Sequence, residues 1–145
     1  MSSPSIWNLS PASWKRRAIE EFDDSLRVYR TGDLEPLNIK TMPHPGFPTD
    51  MQPLMTVLLT LAKGTSIITE GIWENRFRYV DELTRMGANI QVDGRVAVIE
   101  GVQELLPAPM RAADLRAGAA LVVAALAADG FSEVDEICHI ERGYE

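Results

Sequence analysis

Apolar and polar positions along this chain alternate between a two-residue and a helical period, in an order that occurs twice. Leu26 to Tyr29 and Asn38 to Thr41 form a pair of short strand-like runs, followed by an apolar helical stretch from Met51 to Lys63 that ends at Gly64. Residues 66–70 (SIITE) are rich in β-branched side chains and predict a strand. Over residues 76–86 the pattern places Phe77, Val80, Leu83 and Met86 on one helical face, and Gly87 stops the helix. Asn89 to Val92 and Arg95 to Glu100 predict a hairpin around Asp93-Gly94, because those two residues suit the twist of a two-residue turn. A second apolar helical stretch runs from Leu115 to Asp129, and Gly130 again ends it. The run 132–137 closes the pattern as an apolar strand.

The two halves are copies. Gly64 opens GTSIITEGIWENR and Gly130 opens GFSEVDEICHIER, 66 positions apart, each with an arginine (Arg76, Arg142) 12 positions on. Each helix begins just after an aspartate, Asp50 or Asp114. Crossovers alternating with hairpins predict an α/β fold with a mixed sheet built from strand–helix repeats. The second copy reaches Glu145 where its next helix is expected, and residues 1–22 fit no part of the unit. The expectation is an incomplete domain over residues 23–145, with an unassigned segment before it and an exposed strand edge at 132–137 that promotes association.

Composition narrows the function classes. At 145 residues and 46% hydrophobic content the chain suits one ordinary domain with a real core. A net charge of −7 opposes a nucleic-acid surface, which needs clustered cations, and the run Lys15-Arg16-Arg17 is followed at once by Glu20 and Glu21. The single cysteine, Cys138, excludes an intramolecular disulfide and fits a reducing cytoplasm. At the end of an apolar strand it is expected to be a buried structural thiol. His44 and His139 carry no ligand spacing around them, so neither a metal nor a cofactor is expected. The N-terminus has no secretory apolar run, and the most apolar stretch, Ala117 to Ala128, falls short of the ~20 residues that span a bilayer.

Candidate chemistry starts at Pro43–Gln52, PHPGFPTDMQ. Three prolines and a glycine deliver the Asp50 carboxylate to a helix start on a stiff approach. Asp50 either caps that helix or orients and deprotonates a substrate hydroxyl. Arg116 lies in the first turn of an apolar helix, where a cation opposes the dipole by about 0.3–1 kcal/mol. It either pairs with Asp114 or faces solvent, or it meets an anion together with free backbone N–H groups. Arg142 precedes Gly143, which would let backbone approach a ligand closely. Arg76, its counterpart, reads as a structural link between repeats. Trp73 is either a lid over a pocket or part of an aromatic cluster.

PHPGFPTDMQ, ENRF, ADLRAG and HIERGYE, taken in order, resemble the UDP-N-acetylglucosamine enolpyruvyl transferases over roughly residues 25–145. That resemblance implies the inside-out α/β barrel of the family, with this chain as part of the C-terminal domain. It implies that Asp50 contacts the sugar hydroxyl that attacks phosphoenolpyruvate and is a candidate base. Ile72, two residues before ENR, would contact the nucleotide sugar partly through its backbone. Arg116 and Arg142 would grip phosphoenolpyruvate, with Asp114 helping to position the site. The implied activity is enolpyruvyl transfer to UDP-N-acetylglucosamine in peptidoglycan biosynthesis, in the cytoplasm.

The family's mobile loop acid, an N-terminal lysine and further arginines belong to the other domain, and this sequence has no match to them. Cys138 does not correspond to the loop cysteine. Alone, then, the chain is expected to lack useful turnover and to need the loop domain as partner. The competing expectation is a stand-alone, non-catalytic module that binds the nucleotide sugar or regulates.

Overall fold

The computed structural model describes residues 17–144. Strands β1 (Arg17–Glu21) and β2 (Leu26–Arg30) form an antiparallel hairpin of their own, with Ile19 opposite Val28. The run at Leu26 therefore pairs backward, with a strand from the segment the sequence left unassigned, and not with the run at Asn38. The central sheet has four strands in the order β3-β4-β6-β5: β3 (Asn38–Lys40), β4 (Thr65–Thr69), β5 (Asn89–Asp93) and β6 (Val96–Glu100). β3 and β4 are parallel, joined by helix α1 (Gln52–Thr60), while β6 runs antiparallel to both β4 and β5. Gly94 turns the β5–β6 hairpin at φ +58°, where an L-residue is strained.

Two further strands, β7 (Pro109–Arg111) and β8 (Glu133–Asp135), pair in parallel across helix α3 (Leu115–Ala127). Helix α2 (Val80–Arg85) lies between β4 and β5 in sequence, and α4 (Cys138–Gly143) follows β8. The mixed α/β architecture expected from the repeat is present. β7 was not legible, since Pro109 opens it and only three residues pair.

The core lies where α1, α2 and α3 meet the sheet. Leu59 from α1, Ile68 from β4, Leu83 from α2, Ile99 from β6 and Leu121 from α3 are fully buried there. At the usual ~25 cal/mol per Å2 of apolar surface, each such side chain contributes roughly 1.5–3 kcal/mol.

Backbone hydrogen bonds show how closely the two copies correspond. Leu37 N donates to Ser66 Oγ (3.1 Å) and Ala108 N to Ser132 Oγ (3.3 Å). Thr41 N donates to Thr69 O, and Ala112 N to Asp135 O, both at 2.9 Å. Gly64 and Gly130, at φ +126° and +130°, pack against Pro36 and Pro107. Thr41 therefore matches Ala112, and Glu70 matches Glu136. The first crossover is five residues longer between these landmarks, and the Pro-rich approach to Asp50 takes up that length.

Several elements differ from the pattern-based expectation. Residues 76–79 turn rather than extend α2, and the two long helices are shorter than their apolar stretches. The run 132–137 is strand only to Asp135, because Glu136 adopts φ +60° and breaks the extended backbone. The chain then forms α4 where a strand end was expected, so Cys138 opens a helix and is exposed rather than buried.

Candidate functional site

Asp50 sits in a single turn of 3-10 helix, Thr49–Met51, that leads into α1. Pro48 enters it with extended backbone, Met51 N donates back to Pro48 O at 3.1 Å, and Pro53 fills the first turn of α1, where a missing N–H costs nothing. Asp50 caps neither helical start, so the bland reading of this residue fails. Its carboxylate instead meets Arg116: Nε lies 2.5 Å from Oδ1 and donates along one edge, and Nη2 donates to Oδ2 at 3.3 Å. The two side chains are 56% and 41% exposed, so the pair faces solvent and is open to a ligand.

Asp114, the expected alternative partner of Arg116, is occupied elsewhere. It is the N-cap of α3, and its Oδ1 accepts from Ala117 N at 2.8 Å. Arg116 thus stands one residue inside the helix, its charge opposing the dipole, with the Asp50 carboxylate offsetting that opposition. Asp50 and Arg116 are 66 residues apart, the same offset that relates Ser66 to Ser132. The repeat therefore places Arg116, not Asp114, in the position equivalent to Asp50, and the two equivalent sites join across the packed α1 and α3.

A buried polar network stands behind Asp50. Glu70, only 1% exposed, follows β4 and points under the turn. Its Oε1 accepts from Thr41 Oγ1 (2.8 Å), Thr49 Oγ1 (3.1 Å), Ile72 N (3.0 Å) and Trp73 N (3.2 Å). Its Oε2 accepts from Thr49 Oγ1 (3.1 Å) and Gln52 Nε2 (3.4 Å). The Gln52 amide oxygen lies 2.5 Å from the Tyr79 hydroxyl, which is also 2.8 Å from Thr56 Oγ1. Burial pushes the Tyr79 hydroxyl well above the usual phenol range, and the hydrogen bond with Thr56 only partly counters that. Among the described residues no buried side-chain polar atom lacks a partner. Sequence reasoning missed this network. The only signals were Thr49 and Gln52 flanking Asp50, and an acidic residue ending an apolar strand.

Ile72 is half-buried, and its amide is held by Glu70 rather than offered to a ligand. Trp73, 54% exposed, stacks on the Arg76 guanidinium at 5.7 Å. Arg76 therefore packs within its own loop instead of linking the repeats. Arg142 is exposed on α4 and makes no ion pair among the described residues. Its helix lies against the start of α3, with Ile140 against Gly118 and Leu115 against Gly143. A Cβ on Gly143 would stand 2.5 Å from Leu115 Cδ1, so this glycine serves helix packing rather than a ligand's approach. Arg142 is thus carried beside the Arg116 turn without touching the Asp50–Arg116 pair. No cluster of His, Cys, Asp or Glu among the described residues could hold a metal ion.

Residues 11–145 match the family model for EPSP synthase (3-phosphoshikimate 1-carboxyvinyltransferase). The chain belongs to this family. It is 59% identical over 127 residues to UDP-N-acetylglucosamine 1-carboxyvinyltransferase 3 of Caldanaerobacter subterraneus subsp. tengcongensis, covering 88% of this chain and 30% of that protein. Over 126 residues it is 57% identical to the UDP-N-acetylglucosamine 1-carboxyvinyltransferase of Desulfofundulus thermocisternus, covering 87% of this chain and 52% of the relative. Among solved structures, the enolpyruvyl transferase NikO from Streptomyces tendae superimposes with a TM-score of 0.81 at 31% identity, covering 90% of this chain and 31% of NikO. EPSP synthase from Acinetobacter baumannii, at TM-score 0.60 and 19% identity, shares the fold. The chain spans between about a third and a half of the relatives it matches. The inside-out barrel lineage expected from the four motifs is therefore the right one.

Proposed function

We propose that this chain supplies the Asp50–Arg116 portion of the active site of a UDP-N-acetylglucosamine 1-carboxyvinyltransferase, acting in peptidoglycan biosynthesis in the cytoplasm. The observation that carries the reading is the exposed, two-point pairing of Asp50 with Arg116, which joins the Pro-rich turn to the start of α3. An acceptor and a donor side by side suit a substrate hydroxyl next to an anionic reactant. Asp50 takes the proton of the sugar hydroxyl, and the oxygen bonds to C2 of phosphoenolpyruvate while C3 gains a proton. The resulting tetrahedral intermediate loses a proton from C3 as its C2–O bond to phosphate breaks, releasing inorganic phosphate and leaving the enol ether. Arg116, and Arg142 from the adjacent α4, stabilise the carboxylate and phosphate charges through both steps. Ile72 lines the sugar, and Asp114 keeps the α3 start in place through its cap.

The acid that protonates C3 lies outside these residues, so the chain alone turns over no substrate. Replacing the matched 127 residues of the Caldanaerobacter relative by those of this chain tests the reading. The chimera should release phosphate from the two substrates, and Asp50→Ala within it should lower kcat by about 100-fold or more, since a general base contributes roughly 10²–10⁴-fold. A chimera that keeps full activity with Asp50→Ala would overturn the assignment.

A further inference from the structure

We propose that Glu70 is the positioning residue of this site: its buried carboxylate locks the turn carrying Asp50 to the loop carrying Ile72 and so sets the spacing between them. What that spacing serves rests on the function proposed above; the lock itself rests on geometry alone. Every group that reaches Glu70 is a donor, and together they come from three separate segments. Thr41 ends β3, Thr49 and Gln52 flank Asp50, and the Ile72 and Trp73 amides begin the next loop. Thr41 Oγ1 also accepts from Gly71 N at 2.7 Å, which leaves its own hydrogen free for Glu70. Gln52 extends the set: its amide nitrogen faces Glu70 and its oxygen faces Tyr79, so the carboxylate fixes which way the amide points.

Burying a carboxylate with no cation beside it is costly, and the fold itself does not demand it. The second copy of the repeat is the internal control. There Ala112 replaces Thr41, and Glu136, equivalent to Glu70, lies at the surface with Arg111 Nε 3.6 Å away. Among the described residues, the same crossover is made without a buried polar network. What distinguishes the first copy is the longer, Pro-rich approach to Asp50, and that is the segment Glu70 holds. Glu70 does not touch Asp50; it acts through Thr49 and Gln52 on either side.

The test is amide exchange and the Arg116 Nε–H signal, followed by NMR on the full chain carrying Glu70→Gln, which keeps the shape but turns an NH2 group toward donors. Loss of roughly one net hydrogen bond at each end should speed exchange of Gly71, Ile72 and Trp73 by about ten-fold and shift the Arg116 Nε–H resonance toward that of an unpaired guanidinium. Ile68, Leu83 and Leu121 should keep their protection, which a general loss of stability would not allow. Uniform acceleration of all amides, or an unchanged Ile72 amide and Arg116 signal, would overturn the proposal. Thr49→Val covers the case in which Glu70→Gln does not fold: it should release Arg116 Nε–H while leaving Ile72 and Trp73 protected, and an unmoved Arg116 signal would again overturn it. Titration of wild type with UDP-N-acetylglucosamine separates the two readings. Absence of any shift would count against the site, while the exchange result would still decide the lock.

Discussion

Replacing Asp50 and Arg116 by alanine, singly and together, isolates what their pairing contributes to folding. The geometry is good, with Nε 2.5 Å from Oδ1 and Nη2 3.3 Å from Oδ2, yet the side chains are 56% and 41% exposed. At such a site the effective dielectric is high, and Coulomb attraction amounts to roughly 1–4 kcal/mol before the entropy of fixing a long arginine side chain is subtracted. Screening by salt and solvent lowers it further, so the net coupling should fall at about 0.2–1 kcal/mol. The assay is urea unfolding of the four proteins followed by circular dichroism, at low and at high salt. The interaction energy from the cycle should be below about 1 kcal/mol and shrink with salt, and both single variants should fold. A coupling above about 3 kcal/mol, insensitive to salt, would make the pair a buried-type staple. Its retention would then be a matter of stability, and the pair would need no substrate to explain it.

Other parts of the structure carry expected outcomes of their own. Tyr79→Phe should destabilise by about 1–3 kcal/mol because Gln52 Oε1 and Thr56 lose their buried partner. Since burial raises the Tyr79 pKa above the ordinary phenol value of about 10, its share of stability is complete below pH ~10 and lost as pH rises beyond it; the alkaline slope in urea midpoints should be smaller in Tyr79→Phe. Gly101→Ala should prevent folding or cost more than about 4 kcal/mol, because a Cβ there would overlap the Ala62 carbonyl oxygen, whereas Gly94→Ala meets no atom within 4 Å and should cost about 1 kcal/mol for its φ of +58°. Cys138 is exposed, so a thiol reagent should label one equivalent in the native protein, and slow labelling limited by unfolding would contradict the helix placement.

Much of the architecture could be read from the chain because its signals are local. Gly64 and Gly130 stand at φ values that disfavour other residues, and Asp93-Gly94 has the chemistry of a two-residue hairpin, so their positions declare the repeat and the turn. The failures lie where tertiary context overrides pattern. Cys138 follows an apolar run, but a single left-handed residue, Glu136, ends the strand two positions earlier. Gly143 suggested backbone approach to a ligand, whereas it makes room for Leu115. In the site, Asp50 and Arg116 were legible as individuals because proline, glycine and a helix start surround them. Their pairing was not, since sequence aligned the two aspartates and the structure aligns Asp50 with Arg116. Glu70 stayed hidden because its partners come from three segments, and nothing local marks a glutamate at a strand end as buried.

In the proposed site Asp50 and Ile72 meet the nucleotide sugar, and Arg116, paired with Asp50, stands beside them for the anionic reactant. The most direct measurement is a titration of the isotope-labelled chain with UDP-N-acetylglucosamine, following backbone amides and the arginine Nε–H signals by NMR. Saturable shifts are expected at Asp50, Ile72 and Arg116 Nε–H, and they should vanish in Asp50→Ala. Saturable shifts confined instead to the groove lined by Arg30, Asp33 and Lys63, and unaffected by Asp50→Ala, would contradict it.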